Sequence, residues 1–191
     1  VWLGDGHSYS QNISVGDQDV DEMSDKLSKY GIVNRYKDKT CWRIKTQGLS
    51  HSDLRQLGVL RNKHIPKAYL RASIAQRMAL LKGLMDTDGS PHKKGCEFYN
   101  SNPVLIENVL ELIRSLGFKA RVRVKKTTHK DAYTIWFQTD KDVFSLQRKI
   151  DKTYYCQTTR LTTKTITSIT PVDSVPSRCL QVDNKDHLFL C

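Results

Sequence analysis

No stretch of this 191-residue chain approaches the roughly 18 consecutive apolar residues that a membrane helix requires, and no signal peptide is visible. No membrane partner is expected. Cysteine is sparse and scattered, at Cys41, Cys96, Cys156, Cys179 and Cys191, with no C-x-x-C pair. That spacing argues against a zinc site or a dithiol redox enzyme. An odd, dispersed set fits a reducing compartment, so the expected location is intracellular and cytoplasmic. Acid is in deficit: 20 acidic residues face 31 basic ones, a formal net charge of +11. Such an excess suggests a polyanionic partner, most commonly nucleic acid, although many basic proteins bind nothing specific. Apolar residues are only 38% of the chain, enough for one domain or two closely packed halves. The first residues read as the middle of an element, so a preceding N-terminal segment is expected.

What is present is periodic. Residues 68–89 place Leu70, Ile74, Met78, Leu81 and Leu84/Met85 at steps of three and four, which predicts an amphipathic helix stopped by Gly89. Val20, Met23, Leu27 and Tyr30 predict a second helix, stopped at Gly31. A third runs from Pro103, a residue favoured in the first helical turn, to Gly117. Residues 119–125 alternate strictly, with Ala120, Val122 and Val124 against Lys119, Arg121, Arg123 and Lys125. Residues 41–46 set Trp42 and Ile44 against Arg43 and Lys45. Residues 133–139 are rich in aromatic and β-branched types and read as another strand.

These elements recur in order. Asp5-Gly6 near the start is echoed by Asp88-Gly89, 83 residues on, and Gly31 by Gly117, 86 residues on. The repeat predicts two pseudo-symmetric αββαββ-like halves. It also places carboxylates at helix C-termini, where exposed carbonyls disfavour them by roughly 0.3–1 kcal/mol. One Asp-Gly is an ordinary turn pair. Two at repeat-related positions suggest that Asp5 and Asp88 converge, with Gly83 and Thr87 leaving room for close helix approach. A hard cation such as Mg²⁺, taking carboxylate and carbonyl oxygens, would compensate the charge. Two carboxylates near a two-fold axis could then hold metals for displacement at two phosphates. Arg43, Lys45, Arg121, Arg123 and Lys125 lie on the polar strand faces as candidates to meet a phosphate backbone; a merely solvated face is the plain alternative.

The phrase LKGLMDTDG (81–89) resembles the LAGLIDADG motif of homing endonucleases, and VWLGDG (1–6) resembles the second half of another copy. The stretch NKHIPKAYLRASIAQRMALLKGLMDTDGS (62–90) resembles the intein-borne, DOD-type branch of that family, with a Lys-x-Ile-Pro segment before the second motif helix. The resemblance spans roughly residues 1–160. It implies an α+β fold of two αββαββα halves, 1–68 and 69–162, with saddle-shaped antiparallel sheets on a long DNA site. It further implies a monomer with internal pseudo-two-fold symmetry and double-strand cleavage dependent on Mg²⁺, two or more ions. By match to the motif, Asp5 and Asp88 would be metal ligands and catalytic. Lys63 would be the active-site lysine, with Lys149 in the comparable place of the second half. The first motif lacks its opening residues, so the helix that packs against its partner is short.

Residues 175–190 resemble a C-terminal intein splicing block, with Cys179 followed eight residues later by His187 inside H-x-F. This implies a trailing β-rich fragment of a Hint domain over 163–191, in which Cys179 is a candidate nucleophile. On the residues alone, a strand with a buried cysteine and a satisfied histidine is the preferred reading. The N-terminal nucleophile, the upstream Thr/His block and the terminal His-Asn are absent from these 191 residues. The functional expectation is an intein-encoded homing endonuclease acting on double-stranded DNA. The alternatives are a non-cleaving or decayed DNA-binding module of the same fold, and a fragment of a self-splicing intein.

Overall fold

The computed structural model describes residues 1–128, 130–155, 165–183 and 185. The chain opens with α1 (Trp2–Asp5), β1 (Ile13–Val15), α2 (Val20–Ser28), β2 (Val33–Lys37), β3 (Trp42–Thr46) and α3 (His51–Gln56). It continues through α4 (Lys67–Leu70), α5 (Ile74–Asp88), β4 (Gly89–His92), β5 (Gly95–Asn100) and α6 (Pro103–Ser115). It then runs into β6 (Ala120–Lys125), β7 (Ala132–Phe137) and α7 (Gln147–Ile150). Two antiparallel sheets result, ordered β1-β3-β2 and β4-β5-β7-β6. The mixed α and β content and the antiparallel pairing match the expected class.

Cross-strand register sorts the side chains. In the first sheet Ile13 opposes Ile44 and Val15 opposes Trp42, which sets an apolar face; Ser14 opposes Arg43 and Asn34 opposes Lys45, which sets a polar one. In the second sheet Phe98 opposes Ile135 and Cys96 opposes Phe137, while Arg121 opposes Trp136 and Arg123 opposes Thr134. The apolar faces meet helices. One buried cluster gathers Trp2, Ile13, Val15, Val20, Met23, Ile44, Leu54 and Val59. A larger one joins α5 and α6 to β5 and β7 through Leu81, Leu84, Phe98, Leu112 and Phe137. Leu3 packs against both. Two residues cross between the parts: Ile65 packs in the second cluster and Leu146 in the first. A two-point ion pair strengthens that crossing, with Arg148 Nη2 donating to Asp19 Oδ2 at 2.6 Å.

The structure departs from the periodic reading in four places. The helix expected over 68–89 is two helices, because Ser73 caps α5: its hydroxyl accepts from Gln76 N–H while the Gln76 side chain accepts from Ser73 N–H. Ile74 consequently lies outside the core, 66% exposed. Gly31 and Gly117 have positive φ as expected of helix stops, but Gly89 is extended, at φ −93°. On β6, which is the sheet edge, the apolar side is covered only at Ala120, and Val122 and Val124 are exposed. In the tail expected to be β-rich, residues 165–183 form no helix or strand. Cys179 is exposed there, and His187 lies outside the described residues.

Candidate functional site

The C-terminal ends of α1 and α5 lie side by side, held by small residues. A Cβ on Gly4 would fall 2.0 Å from Thr87 Oγ1 and 2.6 Å from Thr87 Cβ, so only glycine lets the backbones approach this closely. Gly83 faces Val1 in the same way, with 2.7 Å from its would-be Cβ to the Val1 nitrogen. The expected proximity of Gly83 and Thr87 to the first helix is therefore observed. Each Asp-Gly also has a steric reason. A Cβ on Gly6 would sit 2.3 Å from Trp2 O, and one on Gly89 would sit 2.5 Å from Met85 O. Each glycine turns the chain from helix into extended backbone against the helix's own last carbonyls.

This packing brings Asp5 and Asp88 together. Asp88 Oδ2 lies 3.4 Å from the ideal Cβ position on Gly4, the neighbour of Asp5. Asp88 is half-buried. Asp5 presents an exposed surface, yet dense protein behind it desolvates the carboxylate. Desolvation pushes both pKa values above the ordinary 3.8. The Asp88 charge raises Asp5 further, and Lys63 and Lys149 pull both back without cancelling the rise. Asn100 steadies the second carboxylate by donating from Nδ2 to Asp88 Oδ2 at 2.8 Å.

Two lysines sit beneath the helix ends. Lys63 Nζ donates to Gly4 O at 2.6 Å and lies 5.4 Å from the Trp2 ring centroid. Its pKa falls below 10.5 through desolvation, against the pull of Asp88 and Asp5. Lys149 is buried and has a different environment. Its ammonium donates to Met85 O at 2.9 Å, Asp86 O at 2.7 Å and Gly89 O at 2.6 Å, with Thr87 O at 3.4 Å. A cation thus neutralises the C-terminal end of α5 directly. Gly4 O at the first helix end, and Met85 O, Asp86 O and Gly89 O at the second, thus each accept from a lysine ammonium.

Several residues of the site carry no clear sequence signal. Asn102 caps α6, accepting from Val104 N–H at 3.1 Å, and donates from Nδ2 to Lys63 O at 2.7 Å. Its own N–H donates to Asn100 Oδ1 at 2.9 Å. One asparagine pair thereby links the backbone of Lys63 to the carboxylate of Asp88. Asp86, buried at the last turn of α5, accepts from Ser145 and Leu146 N–H at 2.8 and 3.0 Å and so anchors the approach to α7. Asn-x-Asn before a proline-led helix signals the cap alone; the partners across 39 residues are set by tertiary packing.

The basic candidates fall on the polar sheet faces and not at the helix ends. Arg43 donates to Ser14 Oγ and reaches Asp38 at 3.4 Å. Lys45, Arg121, Arg123 and Lys125 are exposed. Among the described residues no group of three or more His, Cys, Asp or Glu side chains is placed to hold a metal. Two carboxylates alone do not cage an ion. They suit a hard cation that retains water and shares a substrate phosphate.

Residues 75–161 match the family model described as a LAGLIDADG-like domain. The whole chain aligns, at 38% identity over 199 positions, with the replicative DNA helicase DnaB of Mycobacterium intracellulare; it spans 32% of that protein's length. Among solved structures, one of mesophilic variants of the homing endonuclease I-DmoI superposes with a TM-score of 0.52 at 16% identity, covering 78% of this chain and 91% of that one. A crystal structure of I-DmoI in complex with DNA and Ca gives 0.48 at 15% identity, covering 73% and 80%. Residues 75–161 are thus similar to a LAGLIDADG-like domain, and the chain has a fold like that of the homing endonuclease I-DmoI.

Proposed function

We propose that the chain is a site-specific endonuclease that makes divalent-ion-dependent double-strand breaks in a long DNA target, working as a monomer with an internal pseudo-two-fold axis. The observation that carries this reading is the meeting of Asp5 and Asp88 at two packed helix ends, each backed by a lysine. Carboxylates held where helix carbonyls, desolvation and mutual repulsion all disfavour them are a structural burden. A function that needs negative charge at that point accounts for it.

Asp5 and Asp88 would hold Mg²⁺ ions, two or more, which when bound neutralise phosphate charge and lower the pKa of a coordinated water. Asp5 is exposed, and Asp88, half-buried, is held by Asn100. Lys63, with its lowered pKa and its tether to Gly4 O, is set to stabilise developing charge on the scissile phosphate. We assign Lys149 to holding Asp88 in place, since its ammonium is committed to helix-end carbonyls. Arg43, Lys45, Arg121, Arg123 and Lys125 would hold the duplex backbone across the two polar sheet faces.

The end-to-end alignment with about a third of a helicase polypeptide supports an intein-encoded origin, in an intracellular host protein. In that setting residues 163–191, with Cys179 and His187, would belong to the splicing domain, and the remaining splicing blocks would be supplied by other segments. Selection from a randomised duplex library tests the nuclease reading. The expected result is cutting at one site in Mg²⁺ and binding without cutting in Ca²⁺. Bound DNA with no cuts in either ion would instead make the chain a DNA-binding module of the same fold.

A further inference from the structure

A polar cavity of about 410 Å³ is lined by Ser8, Tyr9, His51, Arg55, Gly58 and Arg61 with Leu60. No acidic residue lines it. Neither Arg55 nor Arg61 forms an ion pair among the described residues, where seven other pairs do occur. Arg61 is the one described non-glycine residue with positive φ, at 59°. That conformation is disfavoured for a long side chain and persists only where its surroundings enforce it. Here Arg61 N–H donates to Ser8 O at 3.0 Å, and the guanidinium stacks 4.5 Å from the Tyr9 ring centroid. The loop itself is tied to α3, since Gln11 Oε1 accepts from His51 N–H at 3.1 Å.

We infer that this cavity is a phosphate-binding site, which on the proposed function takes a backbone phosphate of the DNA flanking the cut. The guanidinium lies over the Tyr9 ring and its N–H donors have no hydrogen-bond or ion-pair partner among the described residues, so they remain available to grip a phosphate by two bonds. Arg55 and the His51 ring add donors on the α3 side. Position selects the source. Ser8 follows Asp5 by three residues, at most about 11 Å of chain, and Arg61 precedes Lys63 by two. Each strand of a duplex offers a phosphate every ~3.4 Å along its axis, so one a few nucleotides from the scissile bond falls within reach.

The test measures duplex affinity of the full chain against salt concentration in chelator, where no cutting occurs. Loss of one phosphate contact is expected to lower the slope of log K against log [salt] by about 0.9, and to weaken target and unrelated duplexes alike. Arg61→Gly suits the left-handed backbone, so its melting temperature should equal or exceed that of the parent while affinity drops about tenfold. Arg55→Ala should lower the slope as well. Parental slope and affinity in both variants would overturn the site. If the parent chain binds no duplex, the proposed function fails separately. ³¹P NMR of inorganic phosphate then decides the cavity: broadening that disappears in Arg61→Gly would retain it as a site for free phosphate, and no broadening would remove it.

Discussion

Replacing Asp88 by asparagine should make the protein more stable while removing its proposed chemistry. Asp88 closes α5, a 15-residue helix whose C-terminal carbonyls repel a carboxylate by roughly 0.3–1 kcal/mol. Desolvation adds to this, and Lys63, Lys149 and Asn100 offset part of it, leaving the pKa above 3.8. Because Asp88 is only half-buried, solvent screening limits the net gain to about 0.5 kcal/mol. An amide oxygen at position 88 still accepts from Asn100, so no bond is lost. For a chain of this size that gain corresponds to about 1–2 °C in Tm. A folded-state pKa above the unfolded value means that folding disfavours the ionised form. The penalty is absent below pH 3.8, grows as pH rises through the folded-state value and is complete at neutrality. Thermal unfolding from pH 3 to 7 should therefore show the two proteins converging in acid and separating toward pH 7, the variant above. A variant less stable than its parent at pH 7, or a difference independent of pH, would refute the reasoning.

Other substitutions test the packing and the polar links. Lys149→Met should cost roughly 2–3 kcal/mol by stripping several helix-end carbonyls of their donor, read by chemical denaturation. Gly4→Ala should cost about 1–3 kcal/mol by forcing α1 away from α5, and pairing it with Thr87→Gly should recover part of that loss in a double-mutant cycle. Asn100→Ala removes the hydrogen bond that favours ionised Asp88, so the acid limb of the cleavage profile should move to higher pH while Tm changes little.

Much of this was legible in the sequence because it rests on local rules. Alternation exposed β3 and β6, aromatic and β-branched richness exposed β7, and the paired Asp-Gly stops pointed to two helices meeting end by end. The capping box at Ser73 was equally local and breaks the long helix into α4 and α5, a signal that a purely apolar periodicity overrides. The role of Lys149 was not local. Its four carbonyls lie about 60 residues away, and only the fold shows that a cation already compensates the helix end. The Asn100–Asn102 link escaped notice for the same reason, as did the open apolar side of β6, since edge position is a property of sheet order and not of the strand itself.

The most direct measurement is strand-resolved cleavage of a selected duplex in Mg²⁺ by the parent chain, Asp5→Asn and Asp88→Asn, with DNA affinity measured in parallel. The expected result is a double-strand break at one position by the parent, lost in each variant while each still binds the duplex. Variants that cut as the parent does would contradict the assignment of the chemistry to the two carboxylates at the packed helix ends.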